Sequence, residues 1–400
     1  MAQNNGNKLV SDNFDFAKRQ MVHMLENIPQ GEAKMPHSIN GKGNTSCRSI
    51  YWWTSGFFPG ILWYINEYTG DKTFESFAKK WTEKLEPVKT FKGNHDIGFM
   101  MYCSFGNAYR LTQNEKYKDI LIQSAYSLAT RFNPQVGTIK SWDSWRSWEN
   151  KHVFKYPVII DNMMNLELLF WASKATGDPS FRNIAISHAE KTMKYQIRKD
   201  GSSYHLACYD PETGNFIKGE TSQGYSNEST WSRGQGWGIY GFTLCYRETK
   251  DPRFLKTAQR MADYYINHPN LPSDKIPWWD FDTHRPGFIP GKFSKTNKYI
   301  QNYRDASAAS VTASALLELS SYVKDDKKKI YTETALQILT SLSSHEYRAE
   351  EGKNGNFILK HSTGAIPHGS EVDVPLIYAD YYFLEALLRY NRMINNKPIL

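Results

Sequence analysis

Two aspartates stand at loop-to-helix junctions of one local design. Asp96 lies in Gly93-Asn94-His95-Asp96-Ile97-Gly98-Phe99-Met100, and Asp161 lies in Tyr156-Pro157-Val158-Ile159-Ile160-Asp161-Asn162-Met163-Met164. Each opens a segment whose apolar residues recur at helical spacing, so each carboxyl is expected where a helix turns its apolar face to a core. Two carboxyls held alike in one groove are the usual equipment for acid–base work on sugars. A second reading stands beside this one. An Asp at such a junction also serves as an N-cap that accepts a backbone N–H bond, and capping alone explains a single Asp there.

Other segments carry groups that suit the same chemistry. Trp231-Ser232-Arg233-Gly234-Gln235-Gly236-Trp237-Gly238-Ile239-Tyr240-Gly241 is rich in glycine, at about 1 kcal/mol per glycine against Ala, which marks close approach of a backbone or a ligand. Arg233 can offer its planar fork to a carboxylate, or it can pair with a structural Asp. Trp231 or Trp237 can line a sugar face. One long loop upstream holds Tyr204, His205, Gly219, Glu220, Thr221 and Gln223. Aromatics gather in Tyr51-Trp52-Trp53-Thr54-Ser55-Gly56-Phe57-Phe58, and Trp142, Trp145 and Trp148 share a loop. Loop tryptophans suit stacking on sugars, although they can also cover an apolar patch.

The elements that must position these residues are legible in the turns. Tyr68-Thr69-Gly70-Asp71-Lys72-Thr73-Phe74 is repeated in pattern by Ala175-Thr176-Gly177-Asp178-Pro179-Ser180-Phe181. Weaker copies run 111–117 and 248–254, and a degenerate one runs 323–331. In these copies Gly or a polar residue ends one helix and Asp caps the next, with Pro at its first position in two of them. The pattern gives twelve helices. One set starts near 13, 72, 115, 179, 252 and 328, and a more apolar set starts near 55, 96, 160, 231, 303 and 374. Six pairs with an apolar inner set point to an all-α fold, an (α/α)6 toroid spanning 13–400 as one domain, with an open solenoid as competitor. Residues 1–12 are expected to be disordered or a trimmed edge. Short turns then crowd one rim, and the long loops share the other. Asp96, Asp161, Arg233, Asp305 and Asp373 would meet at that second rim.

Composition narrows the partners. Among 400 residues, 40% are apolar and 14% aromatic, which is ample for a large core with rings to spare. The net charge of +8 without a nucleic-acid motif favours a small or polymeric polyanion over DNA. The four cysteines lack zinc spacing or a disulfide framework, and Cys103 and Cys245 fall in apolar helical patterns as buried thiols. No metal or other cofactor is expected. No apolar run reaches the roughly 18 residues of a membrane span, and the polar start is not a signal peptide.

With these motifs assembled, the chain resembles glycoside hydrolase family 88, the unsaturated glucuronyl hydrolases, over nearly its whole length. The resemblance rests on Trp52-Trp53-Thr54-Ser55-Gly56-Phe57-Phe58-Pro59-Gly60, His95-Asp96-Ile97-Gly98-Phe99, the Asp161-Asn162-Met163-Met164-Asn165-Leu166 helix start, Ser232-Arg233-Gly234-Gln235-Gly236-Trp237, and the segment from His361 to Tyr382. It implies the (α/α)6 barrel and a bacterial enzyme of periplasm or cytoplasm, monomeric or weakly oligomeric. It also implies removal of a 4,5-unsaturated uronic acid from lyase-generated acidic oligosaccharides. Carried over residue by residue, Asp161 is general acid and base and Asp96 assists it, ionised, by holding ring hydroxyls. His205, Gln223, Arg233, Trp237 and His95 are substrate contacts, Arg233 as a carboxylate clamp. Trp53 and Phe57 are aromatic walls, and Gly219 and Thr221 are weaker transfers. Burial beside Val158-Ile159-Ile160 would raise the Asp161 pKa while a helix N-terminus would lower it, and sequence leaves that balance open. The competing readings are an unsaturated galacturonyl hydrolase acting on pectin fragments, a sugar epimerase or lyase on the same barrel, and a non-catalytic carbohydrate-binding repeat protein.

Overall fold

The computed structural model describes residues 2–31 and 33–399, so Met1, Glu32 and Leu400 lie outside the described residues. In chain order the helices are α1 (Ala2–Asn27), α2 (Phe57–Thr69), α3 (Lys72–Glu83), α4 (Ile97–Met101), α5 (Asn107–Thr112), α6 (Glu115–Ala129), α7 (Leu166–Thr176), α8 (Pro179–Tyr195), α9 (Ser232–Thr249), α10 (Pro252–Asn267), α11 (Ala306–Ser320), α12 (Asp325–Leu342) and α13 (Ile377–Ile394). A π-helical turn, Tyr102–Gly106, joins α4 to α5 as one rod, and a 3-10 stretch, Ile160–Asn165, leads into α7. The twelve expected helices are therefore present.

An inner ring closes on itself. α2 packs on the π turn of the α4–α5 rod, the 3-10 stretch packs on α4 and α9, α9 on α11, α11 on α13, and α13 back on α2. That last contact excludes the open solenoid. Inner helices are buried over most of their length, as in the small-residue run Ala306–Ser320 of α11. Glycines of α9 serve this packing. A methyl group on Gly236 would meet Val311 and Thr312, and one on Gly241 would meet Met163.

The repeated turns have the local chemistry that their residues dictate. Asp71, Asn114, Asp178 and Asp251 cap α3, α6, α8 and α10, each accepting a backbone N–H from two residues ahead at 2.8–3.0 Å. The preceding residues Gly70, Gln113, Gly177 and Lys250 all take left-handed φ. The degenerate fifth copy departs. Lys324 occupies the cap position of α12 without a side-chain bond, and Asp325 has φ 54° inside the first turn. The expectation of disorder over 1–12 does not hold for the described residues 2–12, because α1 begins at Ala2 and Gly6 sits against Tyr390 and Ile394 of α13.

The long loops carry the few strands. A hairpin pairs Lys34–Ile39 with Thr45–Ser49. Tyr156–Ile159, Leu206–Tyr209 and Phe216–Glu220 form an antiparallel sheet that sets Ile159 opposite Leu206 and Leu206 opposite Glu220. This register delivers Asp161, His205 and the 221–223 loop to one place. Among the described residues no helix is long and apolar enough to cross a membrane. Cys103, Cys208 and Cys245 are buried free thiols.

Candidate active site

Asp96 precedes α4 but does not cap it, since its side chain makes no cap hydrogen bond. Asn94 takes the local turn instead, its Oδ1 accepting the Asp96 backbone N–H at 2.9 Å. Asp96 is 7% exposed. His95, fully buried, brings Nε2 to 3.3 Å from Asp96 Oδ1. Burial and the neighbouring Asp161 carboxylate push the Asp96 pKa up to about 8. Both influences favour the neutral form of Asp96, against the expectation of an ionised one.

Asp161 sits in the 3-10 stretch, 6% exposed and likewise without a side-chain cap bond. The backbone before it is pinned by Ile159 N–H to Ser141 Oγ and Ile160 N–H to the His205 carbonyl, both at 2.9 Å. Burial raises its pKa to about 7, against the lowering influence of Arg233 and of the Trp237 indole. Desolvation thus wins the contest that sequence left open. The capping account of both aspartates fails, because neither carboxyl is consumed by a helix end.

His205 shows how a tautomer is fixed. Its Nδ1 accepts the backbone N–H groups of Ser222 at 2.9 Å and Gln223 at 3.2 Å, so the proton resides on Nε2. Nε2 lies 3.7 Å from Asp161 Oδ2. Burial and the charge of Arg233 hold the imidazole well below its usual pKa, so it stays neutral.

Arg233 takes the structural alternative. Nη1 donates to Asp305 Oδ2 at 2.9 Å, Ser307 Oγ at 3.2 Å and the Thr363 carbonyl at 2.5 Å, while Nη2 donates to the Gly364 carbonyl at 2.7 Å. The Nη1 end of the fork is thus engaged by the protein, which holds the guanidinium in place. Asp305 also caps α11 through the Ser307 N–H at 3.0 Å. What Arg233 leaves open is Nε, buried without a partner.

The remaining candidates divide. Trp53 is half-buried and packs its ring 4.8 Å from Tyr378, whereas Phe57 lies wholly beneath it, among Phe99, Tyr381 and Tyr382, and supports the wall without facing it. Gln223 is half-buried and meets His205 Nδ1 through its backbone N–H at 3.2 Å. Thr221 accepts the Gly224 N–H at 2.8 Å, and Gly219 lies against the Tyr204 ring, so both shape the loop. Trp145 and Trp148 also brace this loop, donating to Glu220 and to the Ser222 carbonyl. Asp373 turns elsewhere, pairing with His361 at 2.7 Å beside a separate hollow that includes Asp274 and Arg304.

One observation gathers the site. Asp161 Oδ2, His205 Nε2, Arg233 Nε, Trp231 Nε1, Trp237 Nε1 and the Tyr378 hydroxyl are all buried without a hydrogen-bond partner. Buried polar atoms rarely stay unpaired, so a concentration of them marks a surface built for a polar ligand. Tyr378 escaped sequence reasoning, since on an otherwise apolar α13 it reads as core. A cavity of about 440 Å³ is lined by Phe99 together with Glu67, Arg110, Tyr240, Arg247 and Arg389. It shares no carboxyl with the Asp96–Asp161 pair.

Comparison with known proteins agrees with this geometry. The model of Glycosyl Hydrolase Family 88 matches residues 27–246. An unsaturated glucuronyl hydrolase of Formosa agariphila is 46% identical over 86% of this chain and 80% of its own length. An unsaturated chondroitin disaccharide hydrolase of Streptococcus pyogenes is 33% identical over 84% of this chain and 81% of its own. A crystal structure of an unsaturated glucuronyl hydrolase specific for heparin superposes with TM-score 0.88 at 44% identity, covering 98% of both chains.

Proposed function

The chain belongs to glycosyl hydrolase family 88, and on that premise we propose that it removes the 4,5-unsaturated uronic acid from the non-reducing end of glycosaminoglycan fragments. The observation that carries this reading is the buried Asp161 carboxyl, its pKa raised to about 7, facing the N–H groups of His205 and Trp237.

The reaction follows from the substrate's vinyl ether. The neutral Asp161 carboxyl gives its proton to C4, and the C4=C5 electron pair forms the new C–H bond. Positive charge develops at C5, stabilised by the ring oxygen. A water molecule bonds to C5 while the Asp161 carboxylate recovers a proton from it, which returns the acid to its starting state. The C5 hemiketal then opens, leaving a ketone at C5, and the hemiacetal at C1 releases the rest of the chain as an alcohol. No covalent sugar–enzyme bond is needed, so carboxyl separation carries no stereochemical message here.

Asp96 acts as a neutral partner. Its proton makes it a hydrogen-bond donor to a ring hydroxyl or to the Asp161 carboxylate, and its neutrality spares Asp161 a second negative charge while the proton is away. Arg233 contributes a fixed positive charge and one Nε–H, and Trp53 offers an aromatic face. Incubation with unsaturated disaccharides from heparin, chondroitin and pectin, followed by loss of near-ultraviolet absorbance, tests the proposal. Turnover of glycosaminoglycan disaccharides supports it. Turnover of the pectin product alone, or of none, overturns it.

A further inference from the structure

At the rim beyond the catalytic carboxyl, three loop segments meet. Phe293 donates its N–H to the Trp148 carbonyl at 2.9 Å, Gly291 lies flat against Trp148 where any side chain would collide, and Lys295 donates its N–H to the Pro367 carbonyl at 2.8 Å. Trp148 is itself one step from the chemistry. Its indole donates to the Ser222 carbonyl at 3.0 Å, the Ser222 N–H donates to His205 Nδ1, and His205 Nε2 is 3.7 Å from Asp161. One continuous wall therefore runs from Asp161 to Phe293.

Phe293 is 39% exposed at the end of that wall. Two ammonium groups stand over its ring, Lys151 at 4.3 Å from the centroid and Lys292 at 5.0 Å. The ring's negative face can hold both cations in place. Among the described residues neither lysine has an ion-pair partner, and the nearby Glu149 is engaged by Lys218 at 2.9 Å. Lys151 reaches its position through a left-handed backbone, φ 63°, in a turn closed by Ser147 N–H to the His152 carbonyl. Left-handed φ is uncommon for a lysine and costs free energy. Two unpaired cations gathered on one exposed ring repel each other until an anion joins them.

We propose that Lys151, Lys292 and Phe293 form an anion seat for a sulfate or carboxylate on a sugar beyond the one released at the cleaved bond, so that the enzyme reads acidic fragments longer than a disaccharide. The seat rests on the reading of this site as one for glycosaminoglycan ends. Its test is binding, kept separate from turnover. Calorimetric titration of Asp161→Asn with an unsaturated sulfated tetrasaccharide is compared with the same titration of Asp161→Asn carrying Lys151→Ala and Lys292→Ala. The expected result is affinity about fivefold to tenfold weaker for the tetrasaccharide, restored by Lys→Arg at both positions, with disaccharide affinity unchanged. A loss limited to the sulfated tetrasaccharide assigns a sulfate, and an equal loss on an unsulfated one assigns a carboxylate. Unchanged tetrasaccharide affinity, an equal loss on the disaccharide, or no tetrasaccharide binding overturns the seat. Failure of the wild-type enzyme to turn over any glycosaminoglycan disaccharide would instead sink the functional reading.

Discussion

Phe99 donates its backbone N–H to Asn165 Oδ1 across 2.9 Å, and this bond ties the helix that begins at Asp96 to the stretch that carries Asp161. Gly98 makes the approach possible, since a methyl group there would lie 2.4 Å from the same oxygen. The separation of the two carboxyls is thus set by a side chain that meets no substrate. Asn165→Leu leaves a buried N–H unpaired, which costs about 1–3 kcal/mol. We expect the urea midpoint to fall accordingly and kcat to drop more than KM rises. Unchanged kcat would show that the bond does not position the pair.

Asp161 must enter the reaction protonated. With its pKa at about 7, kcat/KM is expected to be level at mildly acidic pH and to fall towards tenfold per pH unit above about 7. A pH–rate profile checks this, and activity that climbs from pH 7 to 9 would contradict it.

Asp96 makes the folded protein pH-sensitive in a definite direction. Its folded pKa of about 8 lies above the ordinary 3.8, so between those values the unfolded chain releases a proton that the folded chain retains. Stability contributed by this group is therefore full below pH 4 and is lost as pH rises towards 8. Asp96→Asn abolishes that loss. Its unfolding free energy relative to wild type, read from urea titrations, should rise across the window, by on the order of a few kcal/mol at pH 8.

Arg233 and Asp305 are 1% and 0% exposed, so breaking the pair strands a buried charge. Asp305→Ala also removes the α11 cap and should cost about 3–5 kcal/mol in denaturant unfolding. A loss below about 1 kcal/mol would mean that the pair carries little of the inner ring's stability.

Much of this was legible in the residues. The turns at Asp71, Asp178 and Asp251 were readable because Gly, Asp and Pro fix local geometry without help from elsewhere. The start of α1 was not, because Asn4, Asn5 and Gly6 are poor helix formers held helical by packing on α13. Asp96 and Asp161 were found from their junctions, but their ionisation depends on burial by remote segments. The partners of Arg233 lie at 305, 307, 363 and 364, too distant in sequence for any spacing rule. Tyr378 was hidden by its helix, where only three dimensions reveal an unpaired hydroxyl.

The most direct measurement is turnover of an unsaturated glycosaminoglycan disaccharide by Asp161→Asn, followed by near-ultraviolet absorbance, with circular dichroism to verify the fold. Removal of the proton donor should lower kcat by about 100- to 10,000-fold while the helical spectrum is unchanged. A folded variant that retains kcat within a few-fold of wild type would take Asp161 out of the proton transfer and contradict the account.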